Sequence, residues 1–395
     1  MKEILTKRIG AIDAMRAITM FLMLFVNDMA GIPGVAHWLK HAEMTEDMLG
    51  FSDLVFPAFL FCVGLSVPYA IQARYRKGDD ALQVIGHVVE RTVALVVMGL
   101  FTLGFTPVDG GMSRQCYLLL MVLGFVLIWN VYPKSEGWKN TLWRVLRWAG
   151  MALLLYLAVS RDIAGNPLKV SWWGILGLIG WTYMVSAGAY IFTRGRLLPL
   201  AITLAVVMLL SVIVHSQIVP DDWGLRFLLL PFMPSDWTLH ALGLTGVITS
   251  VLMQRAAERG VSPSVQISWM LGVAVVLLVA GFVAHNYWII SKIQATPTWY
   301  CFCMAIFLPM LGFLYWLTDV KGKRNAFRLI RAAGTATLTC YIVPYAWYAV
   351  QQLLGASYPA MFNYGGWGLV RSAVFALVIV LLVEALGKLH VKLKI

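Results

Sequence analysis

The chain has 395 residues, 60% of them hydrophobic and only 13% charged, with a mean hydropathy of +0.77. Too little polar surface remains to coat a water-soluble domain of this size, which excludes a soluble globular protein. The net charge of +12 is spread over short segments between apolar stretches; a nucleic-acid partner is not expected, and contact with anionic lipid heads is.

A hydrocarbon core about 30 Å thick takes roughly 20 apolar residues per helix. Such stretches begin near Ile12, Leu54, Val88, Gln115, Leu142, Trp172, Leu197, Trp237, Ile267, Thr298, Ala333 and Trp367. The expected fold is all-α: a polytopic, multi-pass transmembrane bundle of about 12 helices, forming one domain over residues 1–395 without low-complexity linkers. The longest segments outside the spans are 37–53, 215–235 and 319–331, and long loops in compact proteins tend to be functional. The second holds Asp221, Asp222, Trp223 and Arg226 and is followed by Trp237. That acidic and aromatic mixture suits a sugar, and an interfacial aromatic belt explains the tryptophans equally well.

Placing the N-terminus inside assigns most of the 31 Lys and Arg to cytoplasmic ends, the asymmetry that sets orientation. The inside segments are then marked by Arg74, Arg76 and Lys77; Lys134 and Lys139; Arg194 and Arg196; Arg255 and Arg259; Lys321 to Arg331; and Lys388 to Lys394. Both termini are expected in the cytoplasm, and His41 on the far side. No cleavable signal is expected, because Asp13 and Arg16 interrupt the first span and no small-residue cleavage pattern follows. Of the cysteines, Cys301 and Cys303 lack the spacing and the His partners of a zinc site, so packing is expected of them and no metal.

Wound at 100° per residue, Asp13, Arg16, Met20 and Asn27 fall in a stripe about 60° wide, and Asp13 to Asn27 spans about 21 Å. Either Asp13 and Arg16 pair at the boundary while Asn27 bonds a neighbouring helix, or the stripe walls a passage toward His41. In the eleventh span Thr337, Tyr341, Tyr348 and Gln351 share a face, and Pro344 removes a backbone donor. A polar interior is expected there, although bundle packing alone accounts for the threonines.

The densest chemistry lies at 37–53, where His37, Lys40, His41, Glu43, Glu46, Asp47 and Asp53 crowd the start of the span at Leu54. A carboxylate at the mouth of a span is costly without a partner or a task. His41 is the best candidate for a general base, since an imidazole can take a proton near neutral pH. His87 and His390 fall at cytoplasmic ends, His240 begins the eighth span, and His215 and His285 end spans outside, all ordinary interfacial positions. His37, four residues before His41, would share its face on a helix, but without a third ligand no metal is expected.

The order Asp, Arg, Asn, His and Asp-Leu-Val-Phe-Pro within RIGAIDAMRAITMFLMLFVND (8–28) and LKHAEMTEDMLGFSDLVFPAFLFCVGLSV (39–67) resembles the heparan-alpha-glucosaminide N-acetyltransferase family of membrane acyltransferases. The segment YWLTDVKGKRNAFRLIRAAGTATLTCYIVPY (315–345) is similar to that family's corresponding stretch. The resemblance implies transmembrane acetyl transfer from cytoplasmic acetyl-CoA, the cosubstrate, to an amino sugar or oligosaccharide beyond the membrane. It makes His41 the catalytic histidine, Asn27 the asparagine that works with it, and Asp53 the carboxylate that orients His41. Asp13 and Arg16 match the donor end of the first helix; Lys321, Lys323 and Arg324 are basic enough to meet CoA phosphates beside them. Asp28, Tyr341, Tyr348 and Gln351 are assigned to the acceptor.

Membrane lipid is the remaining expected partner, a homodimer is left open, and a bacterial inner membrane is the expected location. Transfer to nitrogen or oxygen, directly or through an acetyl-histidine, is compatible with these residues. Ala17 stands where the family usually has Gly, and SRQCYLLLMVLGF at Ser113 lacks the Gly-Val-Leu-Gln-Arg pattern. About 171–215 looks like a helix pair inserted into a ten-helix family core. A secondary transporter of a small polar or sugar-like solute is the alternative, though no repeat of broken helices is visible.

Overall fold

The computed structural model describes residues 9–103, 112–133, 136–160, 174–216 and 237–395. These contain thirteen α-helices: α1 Gly10–Met29, α2 Ser52–Arg76, α3 Ala81–Leu103, α4 Arg114–Trp129, α5 Trp138–Val159, α6 Ile175–Phe192, α7 Leu197–His215, α8 Thr238–Glu258, α9 Pro263–His285, α10 Pro297–Tyr315, α11 Arg331–Thr335, α12 Thr337–Leu353 and α13 Gly365–Lys388. Setting aside the five-residue α11 leaves one helix for each expected span. Nine of the helices among the described residues are long and apolar enough to cross a membrane. The protein is an integral, multi-pass membrane protein. Residues 217–236, which carry Asp221, Asp222, Trp223 and Arg226, and Trp172 lie outside the described residues.

The chain divides into two compact units: residues 1–19, 36–93 and 178–328, and residues 20–35, 94–177 and 329–395. The first is organised around α2 and α8. A Cβ on Gly64 of α2 would lie 1.9 Å from the Gly243 carbonyl oxygen, and one on Gly246 of α8 would lie 2.3 Å from the Phe61 carbonyl oxygen. Backbones meet where side chains are missing, the contact on which helices in lipid depend. On its other side α8 takes Ser186 and Thr182 of α6 against Gly243.

Because protein surrounds α8, it carries polar groups that a lipid-facing helix could not. Thr245 bonds Tyr300 of α10 at 2.7 Å, and His240, placed at an interface by the sequence, is fully buried. Helices α7 and α9 show the opposite pattern, exposing Ile202, Leu209, Val276, Val279 and Phe282; large apolar residues outside and small or polar ones inside is the distribution lipid requires. The α1 N-terminus is capped by Asp319 from the π-helical turn Trp316–Val320, whose carboxylate accepts from Gly10 N at 2.9 Å and Ala11 N at 2.8 Å. A carboxylate there satisfies orphan amides and complements the helix dipole.

In the second unit α4 packs on α5 through Gly124, against Leu154, and Gly150, against Leu127 and Ile128. The C-terminal tail is pinned by Leu393 N to Thr339 Oγ1 at 3.0 Å and Lys394 N to the Trp129 carbonyl at 2.9 Å.

Gly64→Ala should destabilise the first unit by about 1–3 kcal/mol, the usual cost of overpacking. Gly272→Ala, whose Cβ would enter open space, should leave stability unchanged or raised. Thermal unfolding of both variants in the same detergent tests this: equal melting temperatures would show that the α2–α8 contact yields.

Candidate active site

Backbone contacts fold the segment between α1 and α2 before side-chain chemistry enters. A 3-10 turn at His37–Leu39 is followed by Phe51 N donating to the Trp38 carbonyl at 2.8 Å and Ser52 Oγ to the Leu39 carbonyl at 2.6 Å. Gly50 makes this possible: a Cβ there would sit 2.2 Å from the Lys40 carbonyl oxygen and 2.9 Å from Asp53 Oδ2. Residues 40–42 are thereby laid over the first turn of α2.

Asp53 occupies that turn with 2% of its side chain exposed. Its Oδ2 accepts from Ala42 N at 2.9 Å, and its Oδ1 lies 2.7 Å from His41 Nδ1. The imidazole, 37% exposed, is the open end of the pair. An ionised carboxylate only accepts, so the 2.7 Å contact places the hydrogen on Nδ1 and the lone pair on Nε2. The tautomer is thus assigned from the hydrogen-bond network.

A third group arrives from the segment between α9 and α10. Lys292 Nζ lies 3.6 Å from Asp53 Oδ1 and 3.1 Å from His41 Nδ1. Since Nδ1 already carries a hydrogen, the ammonium is balanced by the carboxylate. Burial holds the Lys292 ammonium below the usual lysine range, with Asp53 opposing that shift.

The other ionisable residues of the loop serve as fasteners. His37 pairs with Glu46 and therefore does not join His41. Asp47 accepts from Ile290 N at 2.8 Å and meets His285 Nε2 at 2.7 Å. The Ile290 amide, and then His285, hold the Asp47 carboxyl below its ordinary value. The Met44 carbonyl accepts from Gln294 Nε2 at 2.8 Å, so the 37–51 and 286–296 segments form one surface.

The residues assigned to the donor stand farther along α2 and beyond the far end of α10. Asp13 and Arg16 pair at 3.4 Å, and Arg16 Nη2 donates to Ser66 Oγ at 3.1 Å. Arg324 is held by Asp319 at 2.9 Å, Lys321 lies over the Trp316 ring at 5.6 Å, and Lys323 is exposed.

The residues assigned to the acceptor, with Asn27, lie in the second unit. Asn27 is exposed. Asp28 is a hub: Tyr348 OH donates to Oδ1 at 2.8 Å, and Ser372 Oγ at 2.7 Å and Arg371 Nη2 at 3.2 Å donate to Oδ2. Tyr341 packs beside Tyr345, ring centroids 6.0 Å apart, and Gln351 lines a mostly apolar cavity of about 590 Å³. Sequence reasoning missed Lys292 and Arg371. The first is a lone base in a segment where the charge asymmetry expects few, and the second is an arginine inside a span, itself a signal. Among the described residues no group of three or more His, Cys, Asp or Glu could hold a metal.

A model of the family described as a domain of unknown function, DUF5009, matches residues 8–169. The chain is 31% identical over 93 residues to mouse heparan-alpha-glucosaminide N-acetyltransferase, covering 23% of this chain and 13% of that protein. For the human protein of that name the figures are 31% over 97 residues, 24% and 14%. The matched stretch is thus a small part of those relatives' length. The chain is also 22% identical over 284 residues to the Na(+)/H(+) antiporter NhaA of Shewanella sp. (strain ANA-3), covering 70% of this chain and 68% of that protein.

Two outcomes are expected. Gly50→Ala should push the Lys40 carbonyl off the first turn of α2 and loosen the 37–51 segment, read as faster amide hydrogen exchange at 40–42 without loss of the fold. Because the Asp47 carboxyl is depressed on folding, its stabilisation is present above the unfolded value, about 3.9, and lost as pH falls through the lower folded one. Unfolding at a series of pH values below 5 should therefore show a shallower acid decline for Asp47→Asn than for the wild type.

Proposed function

We propose that the protein is a transmembrane acetyltransferase that moves an acetyl group from acetyl-CoA to the amine or hydroxyl of a sugar on the opposite face of the membrane. The observation that carries this reading is the His41–Asp53–Lys292 arrangement: a half-open imidazole whose Nδ1 is fixed by a buried carboxylate, leaving Nε2 to accept a proton. The partial likeness to two N-acetyltransferases supports the class.

In this reading Nε2 of His41 takes the proton from the acceptor as its nitrogen or oxygen attacks the thioester carbonyl. The carbon–sulfur bond breaks, CoA leaves as the thiolate, and the proton returns to it. Asp53 holds the ring in the required tautomer and balances the imidazolium, as in a triad; Lys292, 3.6 Å from Oδ1, sets a second positive charge beside that carboxylate. Asn27 enters from sequence alone, as a donor to the developing oxyanion.

The donor end is assigned to Arg16, Lys321, Lys323 and Arg324. Of these, Lys321 and Lys323 are exposed and suited to phosphate. The two groups are separated along the same helices: α2 begins at Ser52 beside His41 and carries Ser66, which Arg16 meets, and α10 begins after Lys292 and leads to Lys321. From Ser52 to Ser66 α2 rises about 21 Å, and the 19 residues of α10 rise about 28 Å, at 1.5 Å each, the latter close to the thickness of a hydrocarbon core. The charge asymmetry assigns the basic end and both termini to the cytoplasm, and a bacterial inner membrane is the setting proposed.

Likeness to an antiporter supports a second reading, a secondary transporter. The two separate in sealed vesicles of known orientation: labelled acetyl-CoA on the basic face should yield acetylated glucosamine on the His41 face, with CoA retained where it was added. Unmodified sugar or sodium crossing without acetylation would establish the transporter.

His41→Ala should lower turnover by about two to four decades, the usual contribution of a general base, while acetyl-CoA binding by calorimetry is retained. Wild-type turnover in the purified variant would remove His41 from the mechanism.

A further inference from the structure

The 286–296 segment brings Lys292 to Asp53, and the rest of it borders a second feature. A basin of about 560 Å³ is lined by His215, Ser216, Tyr287, Trp288, Ile289, Gln294 and Thr296. His215 is the last residue of α7, so the end of α7 supplies one wall. Gln294 is two positions from Lys292, at most about 7 Å of chain, and is bonded to Met44, three positions from His41.

The basin is pre-ordered. Trp288 Nε1 donates to the His215 carbonyl at 3.2 Å, Thr298 Oγ1 donates to the Trp288 carbonyl at 2.8 Å, and His215 Nε2 lies 2.9 Å from the Gln294 carbonyl. Beside this fixed indole, with ring centroids 5.7 Å apart, stands Tyr287, 75% exposed. These rings border hydroxyl, amide and imidazole groups together with Ile289. Apolar faces with a polar rim match a pyranose, whose C–H faces stack on rings while its hydroxyls reach polar edges.

We propose that this basin is a subsite for a further sugar ring of an oligosaccharide acceptor, next to the ring that receives acetyl at His41. The proposal rests on the acetyltransferase reading for its acceptor and extends it: the substrate is a glycan chain held by at least two rings, and Tyr287 is the stacking residue of the second. Binding energy gathered at a remote ring raises kcat/KM when it positions the reacting one.

The test compares glucosamine with chitosan tetrasaccharide as acceptors for the full chain in nanodiscs, with Tyr287→Ala and Tyr287→Phe. The wild type should prefer the tetrasaccharide in kcat/KM by about tenfold, equal to about 1.4 kcal/mol. Tyr287→Ala should lose that preference and keep its rate on glucosamine, and Tyr287→Phe should keep both. An unchanged preference in Tyr287→Ala, or equal loss on both acceptors, overturns the subsite. If no amino sugar is acetylated, the acetyltransferase reading fails instead. Calorimetry with fully N-acetylated chitotetraose then decides the subsite separately: binding weakened about tenfold by Tyr287→Ala supports a glycan site, and no binding or no weakening removes it.

Discussion

A carboxylate buried in the first turn of a helix governs the end of the first unit where His41 lies. Removing one partner from a buried charge costs about 3–5 kcal/mol, so Asp53 at 2% exposure must collect donors. It takes an amide from Ala42, an imidazole from His41 and an ammonium from Lys292. Two devices deliver them. The amide and imidazole require the 37–51 segment to fold down onto α2, which Gly50 permits, and the ammonium requires the α9–α10 connection to lie alongside. The links from Asp47 to Ile290 and His285, and from Met44 to Gln294, hold those two segments in register. A site that needs a fixed imidazole and a structure that needs a satisfied carboxylate thus impose the same geometry.

Farther along the same helices the constraint is different. Lipid tails are as apolar as leucine, so no hydrophobic force presses one span against another, and packing depends on close backbone approach and interhelical hydrogen bonds. Helix α8 shows both, with Gly243 and Gly246 against α2 and α6, and Thr245 bonded to Tyr300. That enclosure explains why a 21-residue helix falls outside the nine that length and hydropathy mark as spans. Hydropathy reports contact with lipid, and a helix surrounded by protein does not need it.

The same distinction governs what could be read from the sequence. Apolar length located every long helix, because lipid imposes a length of about 20 residues on each. The crowd of charges ahead of Leu54 was legible as a cluster that must find partners, since charge at a span entrance is costly. Which members belong together was not. His37 and Asp47 look as chemical as His41 on paper, and only folding shows them tied to Glu46 and His285. Lys292 is 251 positions from His41, and no local pattern carries a contact of that range. His240 stands at the start of a span, where an interface is the natural assumption, yet Trp237 and α6 enclose it.

Asp28 illustrates how a structure changes the meaning of a polar residue. Beside Asn27 in sequence, it suits an acceptor-binding carboxylate, which would need open lone pairs. A carboxylate offers about four acceptor positions, and Tyr348, Ser372 and Arg371 occupy three of them. Arg371 is itself held by Asn363 and lies over the Tyr358 ring at 5.0 Å. The cluster therefore ties the end of α1 to α12 and α13, and the cost of leaving any of these groups unpaired inside a membrane keeps it closed. The neighbouring Asn27, one position earlier on the same helix, is exposed.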